Sequence, residues 1–483
     1  MRAESAKSAE MPLYLSLADR LASLASSGSL RPGARLPSVR ALSEQHGVSI
    51  STAVQAYRTL EDRGVIEARP KSGFFVRRVR SLPPVPATTR PSARPVMVEV
   101  KAIADAVYDL LGEPGYVSFG AAAASESLYA TERVRRALAR SARRDVAALG
   151  RYATALGAEE LRQAISRRAL NLGCNLDHRD IVITNGCTES VALCLRAVTR
   201  PGDIVAIESP TYFGFLRALQ ALGLRALEIP MRPRTGLSLE ALELALETQP
   251  IKAVVAVPTV SNPMGSVMPG AAKKRLAELL QRRGVPLIED VICNELAPTD
   301  EARRAVRAFD RGGHVMLCGS FGKTLAPGLR GIGWVEAGRW SAEVAHLKRS
   351  LSGGGSPVVE CAVAELLEHG GYDQSLRQLR GHFAEQVGVA RQIIGAAFPD
   401  GTKVTDPSGG YVLWVELPKA VDAIELYRRC IEQRIIVVPG PLFTTSARYR
   451  NGLRLNAGAP WTDEREQALR TVGMLAREIA AGR

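Results

Sequence analysis

The chain has 483 residues, a length that predicts two or three domains and a large apolar core. Its formal net charge is +14, of which residues 1–97 carry +8 (15 Lys and Arg against 7 Asp and Glu) and the other 386 residues carry +6. Neither the seven cysteines nor the six histidines show ligand spacing, and no apolar run is long enough to span a membrane. We therefore expect a reduced, cytoplasmic protein without a metal site, and a polyanionic partner for the basic N-terminus; a solvated basic arm is the alternative.

Apolar periodicity and turn residues over residues 10–78 predict three short helices followed by a β-hairpin. Leucines recur at helical spacing from Leu13 to Leu24, and Ser38 and Ser49 stand where the N-caps of a second and a third helix are expected. Two strand-like runs then flank a Pro-Lys-Ser-Gly turn. This arrangement is typical of a winged helix-turn-helix, whose third helix enters the major groove of DNA. The alternative is a helical oligomerisation module with a basic surface.

The predicted third helix begins with short polar side chains that can reach phosphates and base edges, and basic residues lie nearby for backbone contacts. The residues that we assign to DNA binding on this pattern are Arg35, Ser38, Arg40, Ser49, Ser51, Thr52, Gln55, Lys71, Ser72 and Gly73.

Residues 79–97 contain five prolines and no apolar periodicity, which predicts a semi-rigid linker. From residue 98 to residue 483, strand-like runs alternate with helical patterns. This alternation predicts an α/β domain with a mostly parallel sheet and helices on both faces. The runs that we assign to strands are 181–184, 204–207, 253–257, 285–288 and 314–318.

The stretch from Gly319 to Gly333 carries the clearest chemical signal of the chain. It presents a single Lys323 in a turn of small residues after an apolar strand, with Arg330 seven residues later. A partly desolvated Lys is a nucleophile toward aldehydes, and an Arg can hold a dianion through its planar fork. The pair suits an aldehyde cofactor with a phosphate group, which is pyridoxal 5'-phosphate (PLP). The alternative is an exposed surface Lys in a loop.

Three further patterns point to the same cofactor, although each has an ordinary structural explanation. Gly186 opens a predicted helix after a strand, where free backbone N–H groups can bind a phosphate. Asn262 stands in a turn, as the residue of an Asx-turn also would. Asp290 ends a strand, where its carboxylate could pair with a protonated pyridine nitrogen.

The order of these motifs resembles two families joined in one chain. Leu36–Leu42, Gly47–Ser49 and Ser72–Val76 resemble the DNA-binding domain of GntR-family bacterial regulators, although Ile50 stands where members often carry a basic residue. The ordered motifs after residue 98 resemble fold-type I aminotransferases over nearly all of residues 98–483, which implies a mostly parallel sheet with helices on both faces and a smaller α+β subdomain. The whole chain resembles a MocR-type regulator of the GntR family. The residues that carry the second resemblance are Tyr152, Gly186-Cys187-Thr188, Tyr212, Asn262, Asp290, Ser320, Lys323, Arg330 and Arg454.

The resemblance implies a role for each of these residues. Lys323 would carry PLP as a Schiff base, Asp290 would pair with the ring nitrogen, and Asn262 would hydrogen-bond the ring oxygen. Tyr212 would stack on the ring, and Arg454 would clamp the carboxylate of an effector or substrate. The phosphate group would be held by Gly186, Cys187, Thr188, Ser320 and Arg330, with Tyr152 from a partner subunit.

Two positions depart from the family pattern and decide between two functions. Cys293 stands where the family commonly places a Tyr that donates to the ring oxygen, and Gly322 stands where many relatives have Ser. Tyr411 could compensate for the lost phenol. We predict a dimeric, PLP-dependent transcription regulator that binds double-stranded operator DNA and senses a small amine or amino acid. The alternatives are a working aminotransferase with an appended DNA-binding domain and an enzyme that meets DNA only through its basic charge; the fold by itself does not separate the first two.

Overall fold

The computed structural model describes residues 12–26, 30, 34–62, 65–69, 72–76, 82–99, 103–110, 113–329, 332–369 and 371–483. The chain divides into two compact units, with the boundary between Leu82 and Pro83. The α-helices are α1 (Leu13–Ser26), α2 (Val39–His46), α3 (Ile50–Asp62), α4 (Ile103–Leu110), α5 (Thr131–Arg144), α6 (Glu159–Ala169), α7 (Gly186–Val198), α8 (Phe213–Ala221), α9 (Leu239–Thr248), α10 (Gly270–Arg283), α11 (Asp300–Arg303), α12 (Ser341–Leu351), α13 (Pro357–His369), α14 (Tyr372–Ala397), α15 (Ala423–Glu432) and α16 (Asp463–Ala480). The strands are β1 (Ile66–Arg69), β2 (Gly73–Val76), β3 (Val96–Met97), β4 (Val117–Ser118), β5 (Ile181–Thr184), β6 (Ile204–Ser209), β7 (Arg225–Arg232), β8 (Gly236–Leu237), β9 (Ile251–Ala256), β10 (Leu287–Asp290), β11 (Val315–Ser320), β12 (Gly333–Glu336), β13 (Lys403–Val404), β14 (Val412–Glu416), β15 (Ile435–Ile436), β16 (Val438–Pro439) and β17 (Gly452–Asn456).

The N-terminal unit is a winged helix-turn-helix, as the sequence predicts. Helices α1, α2 and α3 pack around a small core that includes Leu42, Tyr57 and Leu60, and β1 pairs antiparallel with β2 to form the wing. Ser38 caps α2 by accepting a hydrogen bond from Ala41 N at 3.2 Å. Gly47 then ends α2 at a φ of 61°, a left-handed conformation that glycine adopts without strain and that turns the chain toward α3.

The C-terminal unit is built on one large mixed sheet, which confirms the predicted α/β fold. The strand order is β3-β7-β6-β9-β10-β11-β12-β5, with β8 paired to β7. Strands β7, β6, β9, β10 and β11 run parallel, whereas β12 runs antiparallel to both β11 and β5. Every residue of β6 and β11 is buried, because helices cover both faces of the sheet. Each predicted strand run overlaps a strand here, although β10 begins two residues later than expected and ends at Asp290.

A smaller part of this unit contains a four-stranded antiparallel sheet in the order β13-β14-β17-β16. Its apolar face packs with helices α14, α15 and α16 in a core that includes Trp414 and Phe443. Strand β17 is buried along its whole length, and it carries Arg454 at its centre. Of the helices in the described part of the chain, none is long and apolar enough to cross a membrane.

The predicted linker differs from the structure in its C-terminal part. Residues 83–97 belong to the larger unit, where the Pro84 carbonyl accepts a hydrogen bond from Val404 N at 3.0 Å and Val96 pairs with Ala226 of β7. Proline removes a backbone donor but leaves its carbonyl, so a proline-rich segment can still dock through the groups that remain. The composition of residues 79–97 thus predicts a spacer, whereas residues 83–97 are part of the larger unit.

Candidate cofactor and effector site

A cavity of about 290 Å³ opens where the parallel strands of the large sheet end. This is the edge at which α/β sheets bind ligands, because loops and helix N-termini converge there. The sequence-predicted residues that line it are Gly186, Cys187, Thr188, Tyr212, Asn262, Asp290, Cys293, Ser320, Lys323 and Arg454. The fold therefore brings together residues that lie as far apart in the chain as Gly186 and Arg454.

Lys323 is presented by the turn that follows β11. Its side chain is half-buried and lines the cavity, and its Nζ donates a hydrogen bond to the Ala122 carbonyl. The preceding strand is buried at every residue, so the position of the turn is fixed by the sheet. An amine held in this way is directed into the cavity, as nucleophilic attack on an aldehyde requires.

Among the described residues that line the cavity, Asp290 is the acid. Its Oδ1 accepts a hydrogen bond from Ile292 N at 2.9 Å, and the side chain is 6% exposed. Burial raises the pKa of Asp290 to about 6, while the Ile292 N–H, the Cys187 thiol and the charge of Lys323 act in the opposite direction. A cationic partner in the cavity would lower that pKa further, because it stabilises the carboxylate form.

The start of α7 forms one end of the cavity through a close approach between two backbones. Gly186 has a φ of 78°, and a Cβ at Gly333 of β12 would lie 2.4 Å from the Gly186 carbonyl carbon. Only glycine at position 333 lets the first turn of α7 sit against the end of β12. Backbone N–H groups at the start of a helix can bind an anion, and Gly186, Cys187 and Thr188 of this turn line the cavity.

Arg454 is fully buried and also lines the cavity. Its Nη2 donates to the Gly120 carbonyl, and its Nη1 lies 3.4 Å from Asn262 Oδ1. The guanidinium also lies over the rings of Phe443 and Phe213, at 5.3 and 5.7 Å from their centroids. These contacts hold the planar fork in one orientation, which favours bidentate binding of a carboxylate.

The segment from Gly120 to Ala123 contributes to the site through its backbone, and sequence reasoning missed it. The Ala122 carbonyl accepts hydrogen bonds from Lys323 Nζ and from Tyr411 Oη, the latter at 3.0 Å. The Ala123 carbonyl accepts from Asn456 Nδ2 at 2.7 Å. A run of alanines carries no chemical side chain, so its sequence gives no signal of this role.

Glu208 is a buried acid near Asp290 that the sequence analysis did not single out. Its Oε2 accepts a hydrogen bond from Val257 N at 3.1 Å, and its Oε1 has no partner within the described residues. Burial raises the pKa of Glu208 to about 8; the Val257 N–H opposes this shift and the nearby charge of Asp290 adds to it. Burial therefore favours the protonated form of Glu208 near neutral pH.

Two predicted residues have surroundings that the motif did not indicate. The Ser320 hydroxyl donates to the Ile332 carbonyl at 3.1 Å and accepts from Gly322 N at 3.2 Å, so it also stabilises the turn before Lys323. Tyr152 is fully exposed and does not line the cavity of its own chain. Arg330 lies outside the described residues.

Cys293 and Tyr411 both line the cavity, close to Asp290 and Lys323. Burial raises the pKa of the Cys293 thiol to about 12, helped by Asp290 and opposed by Lys323, so the thiol stays protonated. The Tyr411 hydroxyl is already committed to the Ala122 carbonyl. Within the described residues, no group of three or more His, Cys, Asp or Glu could hold a metal ion.

The residues assigned to DNA lie on exposed parts of the N-terminal unit. Ser51 and Gln55 are exposed on the first turns of α3, and Ser49 caps this helix by accepting from Thr52 N at 3.1 Å. Ser49 Oγ also lies 2.8 Å from the hydroxyls of Ser51 and Thr52, so the three side chains form one polar cluster. The remaining predicted positions in the described part of the chain, all exposed, are Arg35, Ser38, Arg40, Ser72 and Gly73, while Lys71 lies outside it.

Comparison with known proteins identifies both units. Residues 13–76 match the family of bacterial regulatory proteins of the gntR family, and residues 121–472 match aminotransferases of class I and II. The chain is 38% identical to the Escherichia coli K12 protein YjiR, named an uncharacterized HTH-type transcriptional regulator, over 96% of this chain and 98% of that protein. The chain belongs to the MocR-type regulators of the GntR family. MocR of Rhizobium meliloti, named a probable rhizopine catabolism regulatory protein, is 26% identical to this MocR-type regulator over 90% of the chain and 87% of its own length.

The larger unit of this MocR-type regulator also matches solved aminotransferase structures. LysN, an α-aminoadipate aminotransferase of Thermus thermophilus, superposes with a TM-score of 0.72 at 26% identity, covering 78% of this chain and 95% of LysN. Its structure is a complex with N-(5'-phosphopyridoxyl)-L-leucine. The cofactor of this family is PLP, and the cavity suits it: an amine, a buried carboxylate and a glycine-lined helix start surround one space.

Proposed function

We propose that this MocR-type regulator senses a small amine or amino acid at its PLP site and converts binding into a change in its affinity for double-stranded operator DNA. The observation that carries the proposal is the single cavity lined by Lys323, Asp290 and Arg454 in a chain that also has a winged helix-turn-helix. A ligand shifts DNA affinity only if it binds two arrangements of the protein with different affinities.

Bound PLP supplies an aldehyde and an electron-withdrawing ring. In our proposal Lys323 provides the amine that attaches the cofactor, and the Asp290 carboxylate keeps a proton on the ring nitrogen. Asn262 donates to the ring oxygen, and Tyr212 packs on the ring face. The groups proposed to hold the phosphate are the backbone and side chains of Gly186, Cys187 and Thr188, with Ser320 and Arg330.

Arg454 is the proposed anchor for the effector carboxylate. Its guanidinium is buried and held over two aromatic rings, so ordering it on binding costs little conformational entropy. LysN, with its phosphopyridoxyl-leucine ligand, is a relative whose site takes a cofactor and an amino acid together. This likeness supports an amino acid as the effector class.

We further propose that the protein works as a homodimer in the cytoplasm. Tyr152 is fully exposed on its own chain, and the exposed apolar residues Val146 and Leu149 precede it, as expected of a surface that covers a partner subunit. A dimer presents two DNA-binding units to paired half-sites and so raises the effective concentration of the second contact. The cytoplasm is where a bacterial regulator meets genomic DNA.

The second candidate function is aminotransferase activity, and the retained trio of Lys323, Asp290 and Arg454 favours it. The two functions are separated by one titration. Purified protein is mixed with single amino acids and amines while the visible band of the cofactor and the binding to operator DNA are followed. A sensor shows a lasting spectral change together with a change in DNA affinity. Release of keto acid at an enzyme's ordinary rate, about 1 per second or faster, would instead establish the aminotransferase.

A further inference from the structure

Helix α5 concentrates the positive charge of the C-terminal unit on one exposed surface. The helix contains six arginines and one glutamate, a net charge of +5 in 14 residues. The whole C-terminal unit, residues 83–483, carries only +8. Most of the excess positive charge of this unit therefore lies on α5. An ordinary solvated helix face would carry a more even mixture of positive and negative side chains.

The arginines and the buried residues of α5 lie on different faces. Val134, Ala137 and Ser141 are buried, and the Ser141 hydroxyl donates to the Val358 carbonyl of α13 at 2.8 Å. Five exposed arginines recur at three- and four-residue intervals, so they fall within an arc of about 100° around the helix. We call these residues the α5 arginine face: Arg133, Arg136, Arg140, Arg143 and Arg144.

Two of these arginines direct one guanidinium nitrogen to the helix itself. Arg136 Nε donates to the Glu132 carbonyl at 3.3 Å, and Arg143 Nε donates to the Ala139 carbonyl at 3.1 Å. Each bond orients a guanidinium, whose two outer nitrogens remain a fork of the kind that binds phosphate. Arg140 differs, because it forms an ion pair with Glu365.

We propose that the α5 arginine face binds the sugar-phosphate backbone of the DNA that the N-terminal unit recognises. From Arg133 to Arg144 the helix rises about 16 Å, which matches the axial rise of about five nucleotides of one strand. The N-terminal unit tethers DNA to the chain, so even weak phosphate contacts in the larger unit add to affinity through effective concentration. The contacts carry no sequence information, because they involve phosphates alone.

The test compares two triple variants of the full-length protein that change net charge equally. Arg136→Gln, Arg143→Gln and Arg144→Gln neutralise the α5 arginine face. Arg196→Gln, Arg282→Gln and Arg311→Gln neutralise exposed arginines scattered over other parts of the same unit. Binding of a labelled random-sequence DNA duplex several helical turns long is measured by fluorescence anisotropy between about 50 and 200 mM salt.

We expect the α5 variant to lower the slope of log K against log salt by about 2 to 3 per protomer, and the scattered variant to change it little. If both triple variants lowered this slope equally, only the net charge of the protein would matter, and the proposal would be overturned. An α5 variant that binds like the wild type would also overturn it. An α5 variant that sediments as a monomer would assign the face to contacts between copies of this chain instead.

A third variant separates this inference from DNA binding by the N-terminal unit. Arg40→Gln removes an exposed cation of that unit. If Arg40→Gln weakens DNA binding and the α5 variant does not, the α5 proposal fails while the winged helix-turn-helix keeps its function. Unchanged cofactor absorbance in all variants shows that the larger unit remains folded.

Discussion

Thr89 donates a hydrogen bond from its hydroxyl to the Ser209 carbonyl at 2.6 Å, and the same hydroxyl accepts one from Met231 N at 2.7 Å. Thr89 belongs to the proline-rich segment that follows the N-terminal unit, and it is only 6% exposed. Ser209 ends β6, three residues before Tyr212 of the cavity. The segment that follows the DNA-binding unit is thus bonded to the end of β6, close in sequence to Tyr212, which lines the cavity.

Replacing Thr89 by Val should loosen this segment while preserving its shape. The change removes the hydroxyl and leaves buried polar groups of the backbone without a partner, at a local cost of about 1–3 kcal/mol. We expect faster hydrogen exchange across residues 83–97 and faster proteolysis there. Thr88→Val is the matched control, because Thr88 is exposed. Equal exchange rates in the two variants would show that Thr89 does not fasten the segment.

Replacing Lys323 by Ala should abolish covalent attachment of PLP. The wild-type protein should show a visible cofactor band that sodium borohydride fixes to the chain, because reduction makes the link between amine and cofactor permanent. The variant lacks the amine and should release the cofactor on gel filtration. Lys274→Ala, which removes an exposed lysine, should behave like the wild type. A wild type that gains no band on addition of PLP would contradict the assignment.

Replacing Glu208 by Gln should change how stability depends on pH. The pKa of Glu208 rises from an ordinary 4.5 to about 8 through burial, so the folded state binds this proton more tightly than the unfolded chain does. The stability that this tighter proton binding provides is fully present below pH 4.5, and it is lost as pH rises through about 8. As pH rises, the free energy of unfolding of the variant should therefore increase relative to that of the wild type, by a few kcal/mol at the highest pH.

Thermal melting of cofactor-loaded protein across this pH range measures the effect. Gln keeps an oxygen for the Val257 N–H, so the variant should fold normally. Glu343→Gln, at an exposed position, should leave the pH profile unchanged. Parallel profiles for Glu208→Gln and the wild type would show that Glu208 titrates like an exposed acid.

Replacing Cys293 by Tyr should lower the pH at which the visible band of the bound cofactor titrates. A protonated thiol is a short and weak donor, so less negative charge is withdrawn from the ring oxygen in the wild type than a phenol would withdraw. Tyr411→Phe should leave the titration unchanged, because the Tyr411 hydroxyl donates to Ala122. A shift in the Phe variant as large as that in the Tyr variant would mean that Tyr411 compensates for the missing phenol.

Two substitutions in the DNA-binding unit should have different signatures. Arg40→Ala should weaken binding about equally for all sequences and reduce the salt slope by roughly one, as the loss of one phosphate contact does. Gln55→Ala should instead change the preferred sequence, because an amide can read a base edge. Selection of bound duplexes from a randomised pool, at two salt concentrations, distinguishes the effects. If Gln55→Ala selected the same sequences as Arg40→Ala, Gln55 would have no part in base recognition.

The sequence was most informative where function depends on side chains. Asp290 ends one strand of the parallel sheet and Lys323 follows another, so the sequence predicts that they converge at one edge of that sheet. Arg454 lies on the antiparallel sheet, and its place in the cavity follows only from the resemblance to the aminotransferases. The Ala122 carbonyl was invisible because every residue has one. The sequence analysis missed Glu208 because the residue type and the preceding apolar run do not show whether an acid is buried. Thr89 was hidden by composition, since five prolines suggested a spacer while one hydroxyl provides the anchor.

In the segment from Gly120 to Ala123, the backbone and the side chains have different roles, and this affects which substitutions the site can tolerate. The carbonyl groups hold Lys323, Tyr411, Asn456 and Arg454, while the side chains at positions 121, 122 and 123 only line the cavity. Mutations at these three alanines can reshape the space for the effector without removing a single one of those bonds. Substitutions there would change which small molecules fit the cavity, whereas any side chain at Gly333 would collide with the Gly186 backbone and displace the start of α7.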